Sequence, residues 1–151
     1  MLSNTSAEQT INMTTSKTSP RQSTISQMKS NLEQAREFRN SFNVKDSKSL
    51  RSRNMQKNLI VEEFKEFLEA EGMLFRNSAS LHEDAMKELS DLVYVCYQYA
   101  ANMGWDLDEA LRRVHQSNMS KLDEDGKPTY REDGKVLKSA NYQPPTLSDL
   151  V

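Results

Sequence analysis

The sequence predicts an all-α fold, a four-helix bundle that ends in an irregular C-terminal tail. Two observations carry this. Apolar residues recur at three- and four-residue spacing through four successive stretches, and helix start and stop residues punctuate those stretches. Only the region around residues 129–137 reads as strand, so helices must supply the core.

Residues 1–26 are crowded with Ser, Thr, Asn and Gln and show no period, which predicts a disordered tail ahead of one domain spanning 27–151. Arginine is scarce there, Arg21 alone, so a flexible tail fits better than an organellar transit peptide. Met28, Leu32, Ala35, Phe38 and Phe42 predict a first helix from about Ile25 to Phe42, broken by the polar stretch Asn43 to Ser49. Core packing is the better reading of Phe38 and Phe42, and stacking on a nucleobase the alternative. The second helix runs from about Leu50 to Glu71 and stops at Gly72, a residue suited to a left-handed cap. Ser80-x-x-Glu83 reads as a capping box for the third, which continues to Met103 before Gly104. Asp106-x-x-Glu109 repeats that signal and opens the fourth, through about Met119, with Trp105 anchoring the junction.

From about residue 120 the character changes. Asp133-Gly134 between Thr129-Tyr130-Arg131 and Lys135-Val136-Leu137 is a hairpin signal. Asp123-x-Asp125 is not a calcium loop, because Lys127 and Pro128 stand where an acid and the turn glycine are required. Pro144-Pro145 ends regular structure, and the last residues are expected over the surface or on a neighbouring subunit.

With 151 residues the chain is one domain, and a formal charge of -2 gives no global attraction to nucleic acid or an anionic membrane. No apolar run approaches the roughly 20 residues that span a bilayer, and the start lacks a secretory apolar block. A cytoplasmic protein without membrane or nucleic-acid partners is expected. The single cysteine, Cys96, lies on an apolar stripe and reads as packing. His82 and His115 lack a Glu three residues upstream, which argues against a di-iron bundle and leaves them as surface residues.

The informative pattern is acidic: Glu62-Glu63-x-x-Glu66 on the second helix and Glu88-x-x-Asp91 on the third. At 100° per residue, Phe64, Phe67 and Leu68 form an apolar stripe near Ile60, with Glu63, Glu66 and Glu62 at about 300°, 240° and 200° beside it. On the third helix Val93, Cys96, Tyr97 and Ala100 form the stripe near Leu89, with Glu88 and Asp91 at about 260° and 200°. Like charges three residues apart repel, and five such carboxylates at a core border invite a cation. Mg²⁺ or Mn²⁺ suits them, because hard divalent ions take carboxylate oxygens and keep waters. A set of metals would in turn bind a phosphate chain and favour displacement at phosphorus. Cations follow in the sequence to grip phosphate oxygens: Asn118-x-x-Lys121, then Lys127, Arg131, Lys135 and Lys138. Solvated surface charges are the plain alternative for each, and a helical interaction module for the whole.

Leu59-Ile60-Val61-Glu62-Glu63-Phe64-Lys65-Glu66, Lys87-Glu88-Leu89-Ser90-Asp91-Leu92, Asn118-Met119-Ser120-Lys121 and Asp125-Gly126-Lys127-Pro128 together resemble the all-α nucleoside triphosphate pyrophosphohydrolases. That group holds MazG-like and phosphoribosyl-ATP pyrophosphohydrolase-like proteins, and the likeness spans roughly residues 28–147. It implies cleavage between the α and β phosphates, giving a nucleoside monophosphate and diphosphate. It implies Mg²⁺ or Mn²⁺, two or three per site, held by Glu63, Glu66, Glu88 and Asp91. Glu62 and Glu63 would be catalytic, Glu62 assisting a further metal or orienting water, while Asn118 and Lys121 match phosphate-contacting positions. A homodimer or dimer-based homotetramer is implied too. The stand-alone form with this tail is similar to phage-encoded MazZ-type enzymes, which implies a purine deoxynucleotide such as dGTP. Phosphoribosyl-ATP is the rival substrate. The family often carries basic residues before its first acidic motif, where this chain has Gln56 and Asn58, with Arg51, Arg53 and Lys57 nearby.

Overall fold

The computed structural model describes residues 28–151. The tail expected over residues 1–26 and the helix start expected at Ile25 lie outside them. Helix α1, Asn31–Ser41, begins later than the apolar spacing suggests because Ser30 and Glu33 close a reciprocal cap. The Ser30 hydroxyl accepts from the Glu33 N–H at 3.3 Å, and the Glu33 carboxylate accepts from the Ser30 N–H at 2.7 Å. Helix α2, Leu50–Glu71, has the expected bounds, with Ser49 capping the Ser52 N–H.

Two expected caps are corrected. Gly72 keeps right-handed dihedrals (φ -59, ψ -15) because the chain continues into a 3₁₀ turn, Leu74–Arg76, and the left-handed residue is Asn77 (φ 47, ψ 46). Asparagine tolerates that region better than other side chains. Helix α3, Ala79–Met103, starts before Ser80, so Ser80 and Glu83 form no capping box; Ser78 holds the cap position, its hydroxyl 3.0 Å from that of Ser80. Gly104 ends α3 in the left-handed region (φ 75), as expected. Asp106 caps α4, Leu107–Met119, accepting from the Glu109 N–H at 3.1 Å.

Side-chain pairings give the helix directions. Ser52 meets Asn102 while Glu63 meets Glu88 and Asp91, so α2 and α3 run antiparallel and pack most extensively. Gln98 donates to the Ala35 carbonyl and Arg39 to Asn102, so α1 runs parallel to α3. Ala35, Ala100 and Ala101 are almost fully buried and let those backbones approach. Leu32 and Tyr97 complete the cluster, with Trp105 and Leu107 packed against it. Burying a side chain like Leu32 contributes about 1.5–3 kcal/mol.

Away from this cluster the bundle is open. The α2 stripe expected to be buried is only half covered, with Phe64 47 % and Leu68 48 % exposed. On α3, Leu89 and Val93 are likewise exposed, whereas Tyr97 and Ala100 are buried. Four thin rods cannot shield both sides of the long α2–α3 pair: α1 packs along α3 around Tyr94 to Asn102, while α4 packs mainly against α1. Among the described residues no helix is long and apolar enough to cross a membrane.

The tail forms the expected hairpin around Gly134 (φ 84), with one antiparallel bridge, Tyr130 to Val136. The final residues do not drape loosely: they fasten to α4 of their own chain. Arg113 forks onto the Asp149 carboxylate and donates to the Thr146 carbonyl, and the Asp106 N–H donates to the Leu150 carbonyl. Ser120 and Ser139 tie the middle of the tail to the end of the helix.

Candidate metal centre

Glu63 sits mid-way along α2 and Glu88 and Asp91 one turn apart on α3, so the antiparallel pairing brings the three together. One oxygen of each lies within 4.8 Å of the others, at half-buried positions. Burial pushes the Glu63 carboxyl above the ordinary glutamate range, and the charges of Glu66, Asp91 and Glu88 push the same way. Such crowding costs energy in a free protein and is relieved by a divalent ion. The donor set fits one: three hard oxygen ligands at a rim open to water.

The five acids do not all converge. Glu66 is exposed, yet near enough for its charge to raise Glu63. Glu62 and Glu66 line an open groove of about 580 Å³ on the outer flank of α2, with Asn58, Val61, Lys65 and Glu69. The expectation of a single five-carboxylate cluster is therefore narrowed to three, because Glu62 and Glu63 are neighbours about 100° apart on the helix and cannot both point inward.

Lys87 was missed by the sequence reading. Its ammonium lies 3.0 Å from Glu88 Oε1 and 2.9 Å from Asp91 Oδ2, and these hydrogen bonds hold it well above the ordinary lysine range. The signal was present in Lys87-Glu88-x-x-Asp91, an i, i+4 ion pair. Gln56, which stands where a basic residue was expected, is buried, and its Oε1 has no partner.

The basic set lies at the end of α4 and in the tail that follows it. Lys121 donates to Asn118 Oδ1 at 2.7 Å although α4 ends at Met119, so the two do share one face. Lys138 lies 4.1 Å over the Tyr142 ring, and the Tyr142 hydroxyl is pulled below its ordinary range by Ser117 and then by Lys138 and Lys121. Arg131 is engaged by Asp133 within the hairpin, and Lys127 and Lys135 are exposed. Among the described residues no hydrogen bond or ion pair joins this set to Glu63, Glu88 or Asp91. Cys96 is half-buried and His82 and His115 are exposed, in keeping with packing and surface roles.

Comparison with curated proteins gives no match. The family model for phosphoribosyl-ATP pyrophosphohydrolase matches residues 33–118, more than half of the chain, and the match contains both acidic helices. A half-buried carboxylate cluster on paired helices and this match lead to one conclusion: the chain belongs to the phosphoribosyl-ATP pyrophosphohydrolase family, within the MazG-like all-α NTP pyrophosphohydrolase superfamily.

Proposed function

We propose that the protein hydrolyses nucleoside triphosphates to nucleoside monophosphate and diphosphate with Mg²⁺ or Mn²⁺, a purine deoxynucleotide such as dGTP being the preferred substrate. The observation that carries this is the convergence of Glu63, Glu88 and Asp91, inside a segment matched by a nucleotide pyrophosphohydrolase family. These three would hold the ion, with Glu66 on the rim. Bound there, divalent ions lower the pKa of water and offset charge on phosphate oxygens. Glu62, on the outer flank of α2, would assist a further metal or orient water. Asn118 and Lys121, with Lys127, Arg131, Lys135 and Lys138 behind them, would grip the phosphate chain.

An acidic site on α2–α3 and a basic set at the end of α4 argue for a pocket shared between subunits, in a homodimer or dimer-based tetramer. The uncovered Phe64, Leu68, Leu89 and Val93 supply apolar surface for that assembly.

Phosphoribosyl-ATP is the second reading, favoured by the description of the matched family. One experiment separates these: purified protein with Mg²⁺ or Mn²⁺ is given each dNTP, each NTP and phosphoribosyl-ATP, and products are identified. Diphosphate with dGMP supports the proposal, and diphosphate from phosphoribosyl-ATP alone supports the second reading. Orthophosphate as sole product overturns both, and no metal-dependent nucleotide binding returns the chain to a helical interaction module.

A further inference from the structure

Three carboxylates with oxygens within 4.8 Å repel one another, and among the described residues one cation touches them. Lys87 Nζ lies 3.0 and 3.2 Å from the two oxygens of Glu88 and 2.9 Å from Asp91 Oδ2, so a single ammonium spans both α3 carboxylates. Glu63 has no such partner. The lysine reaches in from solvent, with its side chain 65 % exposed while that of Glu88 is 17 % exposed. An ion held by Glu63, Glu88 and Asp91 needs lone pairs that the ammonium now occupies.

We propose that Lys87 is the resident counter-ion of the metal centre: it keeps Glu88 and Asp91 at ligand spacing in the free protein and swings out when a divalent ion enters. This rests on the metal-binding reading given above. The exchange is cheap on the lysine's side, because its ammonium and four-carbon stem lie mostly in solvent and are free to move into water, while the entering ion takes over the charge of the less exposed Glu88. Lys87 is thus a positioning residue that weakens metal affinity in the free enzyme and makes ion entry reversible.

The test is Mn²⁺ titration of the full chain without nucleotide, followed by electron paramagnetic resonance or calorimetry, on wild type, Lys87→Met and Lys87→Arg. Lys87→Met is expected to bind Mn²⁺ about three- to ten-fold more tightly, because a competitor is removed. Lys87→Arg is expected to bind more weakly than wild type, since a guanidinium fork holds two carboxylates better than an ammonium does. Lys65→Met is the control: Lys65 lines the outer groove and makes no ion pair to Glu63, Glu88 or Asp91, so its loss removes the same charge with a smaller change. A purely structural role predicts that Met and Arg both weaken binding, and a purely long-range charge effect predicts that Arg equals Lys; either result overturns the proposal. If wild type binds Mn²⁺ but the series is out of order, only the role of Lys87 fails. If wild type binds none, the metal reading fails with it.

Discussion

Asn102 Oδ1 accepts a hydrogen bond from Arg39 Nη2 at 2.9 Å inside the bundle, where both residues are 2 % exposed. The same oxygen receives the Ser47 N–H at 3.1 Å and the Ser52 hydroxyl at 3.0 Å, while Asn102 Nδ2 donates to the Ser47 carbonyl at 2.9 Å. One side chain therefore ties α3 to α1, to the 43–49 connection and to α2. Asn102→Ala leaves a buried guanidinium short of an acceptor, and we expect a loss of about 2–4 kcal/mol. Urea unfolding checks this, and a loss under about 1 kcal/mol would show that the connection re-pairs elsewhere.

Glu63→Gln and Asp91→Asn each keep size and shape while removing a ligand charge. Each is expected to lower turnover at least about 100-fold and to weaken Mn²⁺ binding, with circular dichroism unchanged. Wild-type turnover in either variant removes that residue from the site.

The raised Glu63 carboxyl has a second consequence. A group whose folded pKa lies above its unfolded value binds protons more tightly when folded, so the free protein loses stability as pH rises through that interval. Above it the penalty is present in full. Glu63→Gln should therefore raise the metal-free melting temperature at neutral pH, and leave it unchanged once pH falls below the carboxylate range. Calorimetry at the two pH values decides it, and Mn²⁺ should close the gap by stabilising wild type alone.

Glu109 shows the opposite sign. Hydrogen bonds from Arg112 and then Arg113 hold its carboxyl down from 4.5 to about 2. Its contribution is complete above the ordinary glutamate range and is lost only as pH falls toward about 2. The Arg113 contacts to Glu109 and Asp149 are then expected to survive mild acid, whereas Arg113→Met frees the last turn at any pH. Amide exchange over residues 146–150 reports both; protection unchanged in Arg113→Met counts against the fastening.

Phe64→Glu places charge on the uncovered stripe of α2. Light scattering should show a smaller assembly with helix content retained. An unchanged mass counts against assembly through this stripe.

Helix number, the bounds of α2 and the end of α3 were legible because period and end signals agreed there. Gly72 and Ser80 misled: Gly72 does end α2 but stays right-handed because a 3₁₀ turn follows it, and that turn puts the left-handed residue at Asn77 and the next cap at Ser78, two positions before Ser80. The acid motifs could be placed on their helices, but not their division into inward and outward members, which depends on the roll of α2 against α3. Burial of the apolar stripes was overestimated for a related reason: periodicity marks an apolar face and not what covers it. Lys87 escaped although its i, i+4 spacing to Asp91 was there to read, because that spacing marks an ordinary helix-surface ion pair as readily as one at a metal centre.

The bonds from Arg113 to Asp149 and from Asp106 to Leu150 join positions 36 and 44 residues apart, and Leu32 reaches Asp108 across 76. During synthesis α4 therefore emerges before either strap that will hold it. Contacts this distant in sequence are slow to close. A bulky fusion at the C-terminus is expected to slow maturation by hindering the stretch that finishes the job, even though that stretch contributes none of the three clustered carboxylates.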